Sequence, residues 1–318
     1  MKKLCIFVVS CVLASALYAT YPEEYPIFLR LLGFSKEQIE DLQYGRPIQR
    51  SLKERNPGEF GISAASVLDV PGYFVRDYYG YIENFRNLRE FRAVGKFHEQ
   101  PEMQDLAPLT FSPEELQAFA DCRSNCSLNL TEEERTSISQ TSNVEELYRT
   151  ILLNRVRNYM LKGSPDSYLK DFPHLAAYFP NILEYVSTYP ARKDRRIPDF
   201  FYWTKEQIGG KEVIQIRHVF SQRVYDDYVL VDHLVYSNQA LIASAFVLHL
   251  IRYVDGGHPR TLIVYHGRNS VDSTTGRAPG ADKKIFAAFR RAGEELEERY
   301  INRAYHGFPY ALLPGDQR

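Results

Sequence analysis

The sequence predicts an α+β fold: a curved antiparallel sheet packed on a long C-terminal helix, in a helix-grip-like arrangement, with a helical insertion before the last strands. Three observations carry this reading. Residues 211–266 hold four strand-like runs separated by short breaks, a helical period takes over across 282–304, and 112–190 is helical and proline-broken as neither flank is.

At the start of the chain, Lys2 and Lys3 precede an apolar stretch over 4–13 and the small residues Ala14, Ser15, Ala16 and Ala19. That layout is a secretory signal peptide, with cleavage expected after Ala16 or Ala19, and the apolar stretch is too short for a lasting anchor. Lipidation at Cys11 is the alternative outcome of the same segment. The expected location is periplasmic or secreted, with no transmembrane anchor once residues 1–19 are removed.

Residues 20–50 form a small helical segment, in which Ser35-Lys36-Glu37-Gln38 is a capping box opening a helix that ends near Gly45. The first part of the α+β domain, 51–111, begins with a strand over 60–70 that Pro71-Gly72 stops. A helix over 73–85 follows, with Phe74, Tyr78, Tyr81 and Phe85 at helical spacing, then a strand over 90–99. In the insertion, 112–198, Ser112 caps a helix with Pro113 in its first position and Glu114 and Glu115 in its first turn, where the macrodipole favours them. Helices continue over 144–162 and 166–186, broken at Gly163-Ser164-Pro165, Pro173 and Pro180. Such an insertion serves as a lid or as a separate lobe.

The segment 199–318 completes the domain. Ile214, Ile216, His218 and Phe220 share one strand face; Val213, Gln215, Arg217 and Val219 share the other. Tyr225-Asp226-Asp227 turns the chain into a second run over 228–236, and Ser237-Asn238-Gln239 breaks it before a third over 241–254. In that third run Ala243, Ser244, Ala245 and Leu248 also suit a buried helix, while the Val, Ile, Phe and Tyr of its second half favour a strand. Asp255-Gly256-Gly257-His258-Pro259 separates it from a fourth run over 261–266. Short loops imply an antiparallel meander, since parallel pairing needs long crossovers. A polar, glycine-rich stretch, 267–280, is expected to be a flap over one end of the sheet. The final helix puts Ile285, Phe289, Ala292, Leu296 and Tyr300 on one stripe.

Net charge is −1 with basic residues scattered, which argues against nucleic acid as a partner. Only Arg192-Lys193-Asp194-Arg195-Arg196 concentrates positive charge, as a solvated linker or as a contact for lipid headgroups or polyanions. The 23 tyrosines and 19 phenylalanines are enough to wall a cavity as well as to pack a core.

Loss of the signal would leave Cys122 and Cys126, expected to pair in an oxidising compartment; a loop so short gains about 2 kcal/mol in the chain-entropy model. Asn125-Cys126-Ser127 and Asn129-Leu130-Thr131 match the glycosylation sequon. His218, His233, His249 and His266 lie in the meander, where single histidines on apolar faces are core residues or catalytic ones. A zinc site would require two of them to converge with Asp232 or Glu212, and no ligand-spacing motif calls for a metal or any other cofactor. Nucleophile elbow, phosphate loop and dinucleotide fingerprint are all absent from the sequence. Arg268, following a strand, could hold a carboxylate or phosphate headgroup, or form a surface salt bridge.

Val94-Gly95-Lys96-Phe97, Asp121-Cys122 with Cys126, Phe201-Tyr202-Trp203-Thr204-Lys205-Glu206, Arg217-His218-Val219 and the stretch 265–270 together resemble a family of exported bacterial proteins of unknown function. The resemblance implies no reaction. Where that family tends to have Tyr-Ala-Ser-His-Tyr-Phe, this chain reads Tyr236-Ser237-Asn238-Gln239-Ala240-Leu241, without the histidine and the second aromatic. Element order is also similar to the START-like helix-grip domains that bind lipids. Three functions are therefore in view. The first is an exported binding protein holding an apolar or amphipathic small molecule, such as a lipid, between sheet and last helix, with His218, Tyr236 and Arg268 as contacts. The second is an envelope hydrolase or cyclase using His218 as general base beside Tyr236. The third is a protein-interaction module acting through the insertion.

Overall fold

In the computed structural model, residues 24–80, 84, 91–122, 126, 128–163, 180–191, 197–208, 211–239, 241–255, 258–271 and 280–305 are described. The expected signal peptide with Cys11, the basic stretch 192–196, Tyr81 and Phe85, the Asn125 sequon, and the segments 164–179 and 272–279 lie outside them.

The predicted meander is the centre of the sheet. β5 (Lys211–Val224), β6 (Asp227–Ser237), β7 (Leu241–Asp255) and β8 (His258–Val271) pair in succession, each antiparallel to the next. β7 pairs on both sides and sends Val247 and Ile251 to one face and Leu248 and Leu250 to the other, so the helical alternative for 241–254 is excluded. Four more strands extend this centre: β1 (Ile48–Ser51), β2 (Glu59–Leu68), β3 (Phe91–Lys96) and β4 (Asp199–Ile208). The order is β1-β2-β8-β7-β6-β5-β4-β3, an open eight-stranded sheet with every neighbour antiparallel.

Two expectations are corrected here. The flap over 267–280 does not begin at Gly267, because β8 continues through Val271, paired to β7 on one side and β2 on the other. Ladder hydrogen bonds on two sides outweigh the turn propensity of Gly267, Asn269 and Ser270. Strand β3 spans Phe91–Lys96 rather than 90–99.

Helices cover both faces. On one side lie α1 (Glu24–Leu31), α2 (Lys36–Gln43) and the insertion's α4 (Pro113–Ala120), α5 (Glu132–Gln140), α6 (Val144–Lys162) and α7 (Pro180–Thr188). They share one core with Trp203, Ile214, Ile216, Phe220, Val231 and Val264 of the sheet. The helix between β2 and β3, α3 (Gly72–Gly80), and the C-terminal α8 (Ala281–Tyr305) lie on the opposite face, in a second core with Leu68, Val219, Leu230, Leu248 and Ile263. The capping box expected at Ser35 forms, and the cap expected at Ser112 is also a capping box, each side chain accepting from the N3 backbone. Along α8 the predicted stripe meets the sheet: Leu296 is fully buried, Phe289 and Tyr300 pack against the core, and a Cβ on Gly293 would lie 3.1 Å from Leu68. Close packing therefore fills the space between the middle of α8 and β2. Among the described residues no helix is long and apolar enough to cross a membrane.

Candidate functional site

The sheet presents two polar clusters, one on each face. On the insertion side, His218 of β5 stands directly opposite His233 of β6, and α6 lays Tyr159 across both. The Tyr159 hydroxyl is 2.7 Å from His233 Nε2 and 3.2 Å from His218 Nδ1, and His218 Nε2 is 2.9 Å from Asp199 Oδ2. The hydroxyl donates to one imidazole and accepts from the other, so Asp199, His218, Tyr159 and His233 form one chain. Phe201 and Phe220 flank the His218 ring with centroids at 3.8 Å, and the ring is wholly buried. Burial, with the nearby His218 and Arg217 charges, pushes His233 down to about 3.

Tyr236 reaches this same face through a bulge. Ile216 pairs with Tyr236 but Arg217 with Leu234, leaving Val235 as the extra residue. The hydroxyl of Tyr236 donates to the Asn129 carbonyl at 3.1 Å rather than to His218. These groups fasten the insertion to the sheet, as do Asn238 donating to Tyr148 at 2.9 Å and buried Lys205 bonded to Glu115 at 2.6 Å and Glu212 at 2.8 Å. His249 packs edge-on against Phe28 and bonds Asp227 at 3.2 Å, while His266 bonds Ser63 at 2.7 Å. Asp232 belongs to the other face and Glu212 to Lys205, so neither joins the histidines, and the described residues hold no group of three metal-ligating side chains.

Arg268 donates to buried Glu59 and, at 3.2 Å, to the Lys53 carbonyl; Arg55 bonds the same Glu59 oxygen. Its guanidinium is thus engaged by the protein itself. Cys122 and Cys126 form a disulfide with Cα atoms 5.0 Å apart.

The α8 side carries the second cluster. Strand alternation turns Arg217 and Gln215 of β5, Asp232 of β6, Ser244 and Phe246 of β7, Tyr265 of β8 and Tyr202 of β4 to one face. Arg217 donates through Nε to Asp232 at 2.5 Å and through its two terminal nitrogens to Gln215 Oε1 at 2.8 Å and Ser244 Oγ at 3.2 Å. Tyr202 donates to the other Asp232 oxygen. Arg217 also lies over the Phe246 ring, and an aromatic line runs on from Phe246 to Tyr265 at 5.3 Å and Tyr265 to Phe289 of α8 at 6.1 Å. The floor of this row, Arg217, Asp232, Gln215, Ser244 and Tyr202, is buried, whereas Phe246, Tyr265, Phe289, Glu206 and Tyr79 are only partly so. Burial raises the Asp232 and Glu206 carboxyls, opposed in both by the Arg217 charge and by hydrogen bonds, from Tyr202 and from Thr204 respectively. Burial likewise raises Tyr79, Tyr202 and Tyr265.

Alternation along β5 puts Arg217 on the same face as Val213 and Val219, and this was the available signal for the row. A charged residue at an inward position between two valines is a buried ion that needs a partner, and Asp232, at the matching parity of the next strand, is one. No model of a known protein family matches the chain, and no curated protein matches it.

Proposed function

We propose that the protein binds an amphipathic small molecule on the α8 side of the sheet, its polar end at the Arg217–Asp232 row and its apolar part along Phe246, Tyr265 and Phe289. The buried ionic row is the observation that carries this reading. Withdrawing a guanidinium and a carboxylate from water costs several kcal/mol per ion before their attraction repays it, and apolar side chains of similar volume would serve packing at least as well. Partly open aromatics beside a buried polar floor supply the apolar lining and the few polar groups that small-molecule sites use. Export, as the first residues lead one to expect, would make this an envelope or secreted binding protein.

Binding is favoured over catalysis by His218, because that imidazole stacks on Phe201, has the tilted Phe220 ring as its other near neighbour, and has its nitrogens taken by Tyr159 and Asp199. An interaction role for the insertion finds little support, since Leu161 is its one exposed large hydrophobic among the described residues of 112–190. Native mass spectrometry of protein from its own host tests the proposal. A small-molecule adduct is expected on the wild type and should vanish in the double variant Arg217→Met with Asp232→Leu, which removes both ions together and keeps the fold. Absence of an adduct from the wild type, or its persistence in the double variant, would remove the site.

A further inference from the structure

Resting on the binding role proposed above, we infer that the site selects a ligand whose polar end is uncharged, a hydroxyl or carbonyl, over an acid, phosphate or amine of the same length. The charges on the floor of the site are already spent on each other. Each Arg217 nitrogen group has a protein acceptor, at 2.5 Å, 2.8 Å and 3.2 Å, and both Asp232 oxygens accept, one from Arg217 and one from Tyr202. An incoming carboxylate or phosphate would compete with Asp232 for the guanidinium and set a second anion beside a buried carboxylate. An incoming ammonium would have to displace Arg217 from Asp232. Either one leaves the buried row with an unbalanced charge.

Beside this row stand neutral groups. Among the described residues the Tyr265 hydroxyl has no hydrogen-bond partner, although its ring is held between Phe246 and Phe289. It lies over Gly267, where a Cβ would come within 2.3 Å of the hydroxyl oxygen, so the absence of a side chain at 267 is what lets the tyrosine occupy this position. Asn269, two residues further along β8 and therefore on the same face, pairs across the ladder with Ser244 of the floor, and among the described residues its side-chain amide is also uncommitted. A hydroxyl or carbonyl meets a phenol and an amide without surrendering any ion pair. The Glu206 carboxyl, half-buried at the β4 end, is pushed towards its neutral form by burial and accepts from Thr204 at 2.6 Å. Exposed Lys96 on edge strand β3 lies over the Phe200 ring at 4.6 Å, away from the Tyr265 end of the row.

Displacement of Nile red by n-dodecanol, dodecanoate, dodecyl phosphate and dodecylamine, with the full-length protein near neutral pH, reads this directly. Dodecanol should bind on the order of tenfold tighter than the three charged molecules, since an unbalanced buried charge costs more than one hydrogen bond returns. Tyr265→Phe and Asn269→Ala should each weaken dodecanol about fivefold while leaving the affinities for the charged molecules and the Tm little changed. A purely structural role for these two residues would shift the Tm and leave the alcohol-to-acid ratio where it was, which overturns the inference. Tighter binding of dodecanoate or dodecyl phosphate overturns it too, points to Lys96, and leaves the binding role standing. If none of the four displaces Nile red and the native spectrum carries no adduct, the binding role fails and this inference with it.

Discussion

Tyr225, at the tip of the β5–β6 hairpin, has φ 57° and is 95% exposed, a position that suits glycine. A side chain held in left-handed backbone costs about 1–2 kcal/mol and here returns no burial. Tyr225→Gly is therefore expected to raise stability by about 1 kcal/mol, less what glycine loses in unfolded-state entropy, seen as a higher urea midpoint at constant slope. The buried imidazole of His233 makes the opposite kind of contribution. Its folded value is pushed down to about 3 from the ordinary 6.5, so acid favours the unfolded chain, which takes up the proton first. Stability should fall as pH drops from about 6.5 towards 3, by at most about 1.4 kcal/mol per unit from this group. His249, lowered by burial against the pull of Asp227, acts in the same direction. Urea titrations across this range should show a shallower acid slope for His233→Gln than for the wild type; parallel slopes would remove His233 from the account. At this scale the sequence read His218 and His233 correctly as facing apolar neighbours, but not their link through Tyr159, which is 59 and 74 residues away.

Among the elements, β3 and β4 show most clearly how backbone and side chain constrain one another. Gly95 pairs with Trp203, and a Cβ at Gly95 would fall 2.5 Å from the indole carbons. Trp203 cannot retreat, because it is fully buried and donates to the Asp105 carbonyl at 2.9 Å. Gly95→Ala should accordingly cost about 1–3 kcal/mol, measured by chemical denaturation, with Trp203 fluorescence shifting as the ring is displaced. Periodicity made β5 and α8 legible in advance, whereas β6 and β7 were read from β-branched and aromatic content between turn residues, and β7 equally suited a buried helix until its pairing on both sides settled it. β4 was harder to see: its second half, Lys205-Glu206-Gln207, is polar because Lys205 serves the insertion and Glu206 the opposite face. β1 is four residues long and defined by its pairing with β2 alone. The bulge at Val235 left no mark in composition either, yet it decides the face on which Tyr236 lies.

On the scale of the whole molecule, the sheet separates two cores, one under the insertion and one under α3 and α8. Leu152 of α6 and Leu296 of α8 are both fully buried, one in each. Leu152→Ala and Leu296→Ala should each cost about 2–5 kcal/mol, and the double variant should equal their sum within about 0.5 kcal/mol. A larger coupling in denaturant titrations would mean that the sheet transmits strain between the faces. The α+β class, the meander, the C-terminal helix and the insertion's capped start were all determined by the sequence itself, because hydrophobic period, caps and turn residues act over a few neighbouring positions. Only tertiary structure decided that β2 joins β8 and β3 joins β4, that Tyr159 bridges two histidines, and that Arg217 finds Asp232. Those pairings depend on which strand lies beside which, and a long-range contact is chosen by the burial of the whole sheet rather than by any local run of residues.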